Sequence, residues 1–419
     1  MNTPINKIIS NLLLIVGFCF TGYTFSQRNC SVLSTSLTPI EDLGTATYLG
    51  LQGGQYPSGS NSRPQLQLTR ALNQANSITP LNALGAVDLI NGKVAMIGIG
   101  ASNPRTEFAS FQSYCDTFQC LNKKLEVVNV CKGGIGIQKM NYDTAAYWIK
   151  ANDTLVAHSL TSLQVQIVWI EQEHTQSTNT IFPNAPQQLI ADYKKLLQII
   201  LIKYPNVKMA YINSRAYAGY TDNSTGAGLR APRDYYNSWA VKWLIENQIN
   251  NVAGYEYAGA NANIPFIDWA TNSWANGNIP KQDGLFWDCV NDFGITDGLH
   301  LSPNGEMKVG KRLFGYFSMD TTAKVWFIDA TCKAITTHLG PKDIRVDNML
   351  IYPNPVSDKL IISYKGSFGY KIYNSFGMII VDGQHHNENS LIDVTSFEKG
   401  IYLIRTNGEI NLVKTIIIN

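Results

Sequence analysis

Short apolar runs alternate with longer segments of helical periodicity through the middle of the chain. The runs are rich in β-branched residues and nearly apolar at every position, as expected of strands buried on both faces. They occupy residues 94–99, 125–130, 165–170 and 207–212. Amphipathic patterns predict helices at 186–204 and 235–250. This alternation predicts an α/β fold in which helices cover both faces of a mostly parallel sheet.

The C-terminal region has a different pattern. Residues 336–349 are largely polar and include Gly340-Pro341, which is typical of a linker. Short β-rich runs separated by Gly, Asn and Asp turns follow, and they predict a small antiparallel β-sandwich at 350–419. The runs are 359–364, 370–373, 378–381, 401–405 and 413–418. The main domain is therefore expected to span 27–335.

Residues 1–26 have the pattern of a secretory signal peptide. Lys7 supplies positive charge, an apolar segment follows at 8–20, and cleavage is predicted near Ser26. The apolar segment is too short to span a bilayer, so no membrane span is expected in the mature protein. Cys19 follows Phe18 rather than a small residue, which argues against a lipoprotein site.

Composition narrows the range of partners. The 419 residues carry a formal net charge of +2, with 45% hydrophobic and 15% charged residues. Nucleic acid and anionic membranes both select basic surfaces, so neither is an expected partner. The 21 tyrosines and 8 tryptophans are compatible with an exported protein that handles carbohydrate.

The cysteines left after removal of the signal peptide are even in number, which is compatible with disulfides in an exported chain. They are Cys30, Cys115, Cys120, Cys131, Cys289 and Cys332. Cys115 and Cys120 are close enough in sequence to form a local bridge, and free buried thiols are the open alternative. The spacing matches no zinc pattern.

The strongest candidate for chemistry is Asp297-Gly298-Leu299-His300, just ahead of a helix start. At this spacing the Asp297 carboxylate can accept the Nδ1 proton of His300, which leaves Nε2 free as a general base. Ser302 as N-cap and Pro303 at the first position predict a helix to about residue 317, with Met307, Phe314 and Phe317 inward. The alternative is that Asp297 caps a turn and His300 packs under this helix.

A serine is available to be the nucleophile. Ser102 follows the first predicted strand, where a helix N-terminus would also favour a developing oxyanion. The alternative is that Ser102 or Asn103 only caps that helix, with Pro104 at its first position.

A glycine-rich turn, Cys131-Lys132-Gly133-Gly134, follows the next strand. Glycines let backbone N–H groups approach a tetrahedral intermediate closely, although a plain loop is the open alternative. Dinucleotide and P-loop patterns are both absent from the sequence.

The third strand is followed by a polar cluster at 171–174. Gln172 or His174 could donate a hydrogen bond to an oxyanion. Glu171, Glu173 and His174 could instead bind a metal ion, or the cluster could be a solvated strand end without function.

In this order Ser102, Gly134, the 171–174 cluster and the Asp297/His300 pair resemble the conserved blocks of the SGNH (GDSL-type) hydrolases, over about 92–317. The resemblance implies a three-layer α/β/α sandwich and ester hydrolysis. It implies Ser102 as nucleophile, Gly134 as a backbone oxyanion donor, and Asp297 and His300 as the rest of a triad. The first block is similar to the Gly-x-Ser-Asn variant of carbohydrate acetylesterases. The third block departs from the family, because His174 stands where the family has asparagine.

The last 70 or so residues resemble the C-terminal sorting domain of the type IX secretion system of Bacteroidetes. The matching residues are Tyr352-Pro353-Asn354-Pro355-Val356-Ser357-Asp358, Gly377, Gly400-Ile401-Tyr402-Leu403 and Lys414. The resemblance implies export across the outer membrane, recognition by the type IX machinery, and surface attachment or release. A generic carbohydrate-binding sandwich is the alternative.

These observations predict a secreted serine esterase of SGNH type that removes acyl groups, above all acetyl, from carbohydrate. No cofactor is expected. The alternative is a non-catalytic surface protein that keeps the fold and binds glycan.

Overall fold

The computed structural model describes residues 28–175, 177–221, 231–332, 350–374, 378–407 and 413–418. The chain divides into two units, Met1–Phe327 and Ile328–Asn419. The predicted signal peptide at 1–26 and the predicted linker at 336–349 lie outside the described residues.

The first unit contains seven strands and eight α-helices among its described residues. The strands are β1 (Thr47–Tyr48), β2 (Leu51–Gln52), β3 (Val94–Gly100), β4 (Leu125–Asn129), β5 (Val165–Glu171), β6 (Met209–Ile212) and β7 (Phe266–Trp269). The helices are α1 (Ile40–Leu43), α2 (Gln65–Asn76), α3 (Ser102–Thr117), α4 (Ala146–Ala157), α5 (Asn184–Lys203), α6 (Arg233–Ile249), α7 (Pro303–Met319) and α8 (Lys324–Phe327).

A five-stranded parallel sheet, in the order β4-β3-β5-β6-β7, forms the centre of this unit. Every residue of β3, β5, β6 and β7 is buried. The predicted α/β/α fold with a mostly parallel sheet is confirmed, and the four predicted strands correspond to β3 to β6. The fifth strand, β7, was missed because four residues that include Asp268 do not form an apolar run.

One row across the sheet shows how the helices cover it. Gly98, Trp169, Tyr211 and Asp268 are neighbours in register, so their side chains share one face. Aromatic side chains of α3 and α7 pack on this row: Phe108 stacks on Trp169 with ring centroids 5.2 Å apart, and Phe317 packs edge-on against Tyr211 at 5.2 Å. Helices α3 and α7 therefore cover the same face and meet each other there.

Helix α7 begins as predicted, because the Ser302 side chain caps it by accepting from the Gly305 amide. Its buried residues differ from the prediction. Phe317 is fully buried, but Met307 is 50% exposed, and the inward stripe runs through Val309 and Leu313. Residues 309, 313 and 317 recur every four positions, and Met307 lies off that line.

The second unit is a five-stranded antiparallel sheet, which confirms the predicted antiparallel region. Its strands are β8 (Leu350–Tyr352), β9 (Lys359–Tyr373), β10 (Ile379–Asp393), β11 (Gly400–Asn407) and β12 (Val413–Ile418). The order is β10-β9-β11-β12, with β8 also paired to β9. The two predicted runs at 359–364 and 370–373 are one continuous strand.

The cysteine pairing corrects the predicted local bridge. Cys30 and Cys289 form a disulfide across 259 positions, and Cys120 is also disulfide-bonded. Cys115 and Cys131 are free, buried thiols. Cys115 lies on the buried face of α3, so it packs in the core and does not pair with Cys120. In the described part of the chain no helix is long and apolar enough to cross a bilayer.

Candidate active site

Ser102 lies at the point where β3 passes into α3, at the carboxyl edge of the sheet. The strand ends at Gly100, Ala101 is the N-cap without a side-chain hydrogen bond, and Ser102 is the first helical residue. The turn is tight, because a Cβ on Gly100 would lie 2.2 Å from the Cβ of Pro104. Neither Ser102 nor Asn103 is the cap, so the capping alternative does not describe this helix.

His300, which lies near the C-terminal end of the first unit in sequence, contacts Ser102. Its Nε2 atom lies 2.8 Å from the Oγ atom of Ser102, within hydrogen-bond distance. Half of the His300 side chain is exposed, so a solute has access to this pair.

Asp297 holds the opposite side of the imidazole. Its Oδ2 atom lies 2.5 Å from His300 Nδ1, and its Oδ1 atom accepts from the backbone amides of Leu299 and His300, both at 2.9 Å. Partial burial acts to raise the pKa of Asp297, but the hydrogen bonds from the His300 ring and from the two amides outweigh it and lower the pKa to about 2. The ionised carboxylate fixes the proton on Nδ1 and leaves the Nε2 lone pair towards Ser102.

The loop that carries Asp297 and His300 is fastened to its neighbours. Gly298 has φ +63°, and a Cβ there would lie 2.1 Å from the Tyr220 carbonyl oxygen. The Asn103 side-chain amide donates to the Leu299 carbonyl oxygen at 2.8 Å, which joins the loop directly to α3. The relative positions of serine and histidine therefore depend on packing between distant segments.

The N-terminal segment adds a second fastening. The Arg28 guanidinium donates to the carbonyl oxygens of Val290 and Phe293, both at 2.9 Å. The Cys30–Cys289 disulfide lies next to these contacts in sequence. Both tie the start of the described chain to the segment that leads into the loop.

The glycine-rich turn after β4 lies beside Ser102. A Cβ on Gly133 would be 3.9 Å from the Cβ of Ser102, and Gly134 has φ +74° with open space around it. Within the described ranges, the backbone amides of Ser102, Gly133 and Gly134 donate to no other group. Of the two glycines, Gly133 is the one that lies beside the serine.

The predicted side-chain donors lie elsewhere. Gln172 is buried, and its amide donates to the Ile135 carbonyl oxygen at 3.1 Å and to the sulfur of Met140 at 3.3 Å. Both amide hydrogens of Gln172 are therefore already used, and neither is donated to Ser102 or His300.

His174 is placed between two carboxylates. Its Nε2 atom lies 2.7 Å from Asp192 Oδ2 and its Nδ1 atom 3.4 Å from Glu173 Oε1. Burial acts to lower the pKa of His174, but these two partners outweigh it and raise the pKa to about 9. Both ring nitrogens are engaged in a salt-bridged cluster, so neither faces the serine.

The metal-ligand alternative names Glu171, Glu173 and His174. The two glutamates pair with different arginines: Glu171 with Arg215 at 2.5 Å, and Glu173 with Arg233 at 2.7 Å. No group of three or more potential ligands among the described residues is arranged to hold a metal ion.

The pairing of two buried glutamates, Glu107 and Glu171, was not predicted. Glu107, on α3, is fully buried, and burial followed by the proximity of Glu171 raises its pKa. Glu171 accepts from Arg215 and, at 2.7 Å, from the Asn213 side chain. The sequence does contain a signal, because residues 104, 107, 108, 111 and 115 form the buried stripe of α3, with position 107 inside it.

Comparisons with known proteins identify the C-terminal region. Residues 350–419 match the model of the secretion system C-terminal sorting domain. The type IX sorting domain recognised in the sequence is therefore confirmed, and it indicates export to the cell surface or release. Of its matching residues, Gly377 lies outside the described ranges. A search of curated proteins finds no match.

Among solved structures, the chain is similar to an acetyl xylan esterase, AlAXEase, at 15% identity, covering 53% of this chain and 98% of that one, with a TM-score of 0.31. It is similar to an extracellular lipase from Streptomyces rimosus at 12% identity, covering 52% and 97%, with a TM-score of 0.26. It is also similar to BT4096, a gut microbial diltiazem-metabolizing enzyme, at 10% identity, covering 73% of each chain, with a TM-score of 0.33.

Proposed function

We propose that this protein is an exported serine esterase in which Ser102, His300 and Asp297 form the catalytic triad. The observation that carries the proposal is the hydrogen-bonded chain from Ser102 Oγ through His300 to Asp297, with contacts of 2.8 and 2.5 Å. Acyl transfer requires a nucleophile, a general base and a carboxylate that orients the base, and Ser102, His300 and Asp297 would fill these roles in that order.

In the first half-reaction, His300 Nε2 removes the Oγ proton as Ser102 attacks the ester carbonyl carbon. The tetrahedral intermediate then collapses, the bond to the alcohol oxygen breaks, and His300 returns the proton to that oxygen. In the second half-reaction, water attacks the acyl-serine with His300 again as base, which releases the carboxylic acid and restores Ser102. Asp297 stabilises the imidazolium in both halves.

The oxyanion is assigned to backbone donors. The proposed donors are the backbone amides of Ser102, Gly133 and Gly134, of which Gly133 lies beside the nucleophile. Each such donor contributes about 10²- to 10³-fold in rate in hydrolases of this kind. The sequence-based assignment of Gln172 and His174 as further donors is not carried into the proposal, because their donors are bound elsewhere.

The substrate expected from the sequence is an acyl, above all acetyl, ester of carbohydrate, and this stays a prediction. We propose that residues 1–26 direct the chain into the periplasm and are cleaved off. The sorting domain then directs the protein across the outer membrane. The catalytic domain proposed from the sequence spans 27–335.

The proposal is tested by following release of p-nitrophenol from p-nitrophenyl acetate by the mature chain. We expect Ser102→Ala to lower kcat by at least about 10³-fold, whereas Ser36→Ala, an exposed serine outside the triad, keeps the wild-type rate. Unchanged turnover in Ser102→Ala would reject the nucleophile. An inactive wild-type protein that binds glycan would favour the non-catalytic alternative.

A further inference from the structure

A polar cavity of about 600 Å³ lies at the carboxyl end of β7, the last strand in the order of the parallel sheet. Its walls come from α1, from the loop that contains Gln55 and Tyr56, from the residues that directly follow β7, from the loop at 281–283 and from α7. The volume is in the range of small-molecule sites. Ligands of open α/β sheets also bind beyond the carboxyl ends of the strands.

This cavity is a different site from the triad. In the sheet, β7 is three strands away from β3, which leads to Ser102, and at the usual spacing of strands this is about 14 Å. Among the described residues, those that line the cavity include neither a triad residue nor a residue of the glycine-rich turn after β4.

Buried hydrogen bonds hold the walls of the cavity in place. The Lys281 side chain is only 1% exposed, and its ammonium donates to Glu41 Oε1 at 2.6 Å and to the Asn272 carbonyl oxygen at 2.8 Å. The ring N–H of Trp269 donates to the Gln55 carbonyl oxygen at 2.9 Å. A ligand therefore meets walls that are already ordered, which reduces the entropic cost of binding.

The charges in the walls are nearly balanced. Each cation is already paired with a carboxylate: Arg63 with Asp320 at 3.1 Å, Lys281 with Glu41 at 2.6 Å, and Arg312 with Asp283 at 2.5 Å. With Asp42, four carboxylates face three cations, which disfavours an anion. The described residues also hold no group of three or more side chains placed to bind a metal ion. A neutral ligand fits these walls best.

Paired charges suit the hydroxyl groups of a neutral ligand. A hydroxyl both donates and accepts, so it can bridge a carboxylate oxygen and a neighbouring cationic N–H, and such hydrogen bonds are stronger than those between neutral groups. Arg312 and Asp283 offer this combination within reach of solvent, because their side chains are 26% and 43% exposed. Asn61, Ser62 and Gln282 add exposed neutral polar groups to the lining.

Stability alone does not require these pairs, since apolar residues in place of a buried ion pair are often as stable or more stable. We infer that the cavity binds a neutral sugar of a glycan, at a site separate from the triad. The ligand class agrees with the carbohydrate ester predicted as substrate, but the inference does not depend on ester hydrolysis.

The test measures binding of three neutral oligosaccharides, xylohexaose, cellohexaose and mannohexaose, to the mature chain by isothermal titration calorimetry. We expect at least one of them to bind. Its affinity should be the same in Ser102→Ala as in the wild type, because Ser102 lies outside the cavity.

Variants assign the binding to this cavity. Gln282→Trp places a large side chain in the wall and is expected to weaken binding at least about tenfold. Asp283→Asn removes only the charge and should weaken binding about fivefold. Gln187→Trp, the same change as the first at an exposed position of α5 outside the cavity, is the matched control and should keep the affinity.

Two results would overturn this inference: no binding of any of the three hexasaccharides, or an affinity that is unchanged in Gln282→Trp. Neither result bears on the esterase proposal. Failure of that proposal would appear instead as turnover of p-nitrophenyl acetate that survives Ser102→Ala.

Discussion

The Nε2 atom of His300 lies 2.8 Å from the Oγ atom of Ser102, although 198 positions separate the two residues. Ser102 follows β3, and His300 enters from the long segment after β7. Because the parallel strands end at one edge of the sheet, loops far apart in sequence gather there. The contact between Ser102 and His300 therefore depends on how the segments of the first unit pack together.

Asp297→Asn tests the orientation of the imidazole. The asparagine oxygen can still accept from the Leu299 and His300 amides, so the loop should fold, but its NH₂ group would face Nδ1 and favour the wrong tautomer. We expect kcat to fall about 10²- to 10⁴-fold with a melting temperature close to that of the wild type. Steady-state kinetics and thermal melts measure both. Asp116→Asn, on the exposed side of α3, should change neither, and wild-type kcat in Asp297→Asn would exclude the orienting role.

His174 should make the stability of the protein depend on pH. Its pKa is raised to about 9 in the folded state by Asp192 and Glu173, against about 6.5 when unfolded. The stabilising contribution is therefore fully present below about pH 6.5 and is lost as pH rises through about 9, with an upper limit of about 3 kcal/mol. Chemical unfolding at about pH 6 and at about pH 9.5 should show this loss in the wild type. The unfolding free energy of His174→Gln should depend less on pH.

The control for this pH experiment is His158→Gln, at an exposed position at the end of α4. It should reproduce the wild-type dependence of the unfolding free energy on pH. An equally steep dependence in His174→Gln would show that other groups cause it.

Gly298→Ala tests the loop between the acid and the base. The residue has φ +63°, and the new Cβ would lie 2.1 Å from the Tyr220 carbonyl oxygen, so the loop has to shift. We expect a loss of about 1–3 kcal/mol in unfolding free energy and a lower kcat, because His300 moves with the loop. Gly315→Ala is the matched control, since its Cβ would meet nothing within 4 Å in α7. It should be neutral or stabilising, and equal effects in both variants would contradict the strain argument.

Replacing Cys30 and Cys289 by serine tests the disulfide beside the loop. The bond closes a very long segment of chain, so its loss should lower the unfolding free energy by about 2–5 kcal/mol. Denaturant titration measures this, and either single variant should lose as much as the double variant, because each alone breaks the bond. A double variant as stable as the wild type would mean that the bond does not constrain the unfolded chain.

The parts of the site that depend on neighbouring residues could be predicted from the sequence. Asp297 and His300 are three residues apart, and Ser302 caps α7 through a contact with Gly305, so their geometry depends on one turn of backbone. The strands from β3 to β6 were visible because each is a short, largely apolar run, and in β3, β5 and β6 burial on both faces requires a continuous one. Strand β7 was not, because Asp268 is satisfied by Arg63 at 2.6 Å, a partner far away in the chain.

Only the tertiary structure decided the contacts between distant segments. Gln172 and His174 follow β5, as the sequence predicts. In the packed structure Gln172 hydrogen-bonds to Ile135 and His174 to Asp192. The buried Glu107 and Glu171 and the bond from Cys30 to Cys289 also join segments far apart. Composition and periodicity describe each residue and its near neighbours. Distances between remote side chains arise only when the whole core packs, and for that reason no local pattern encodes them.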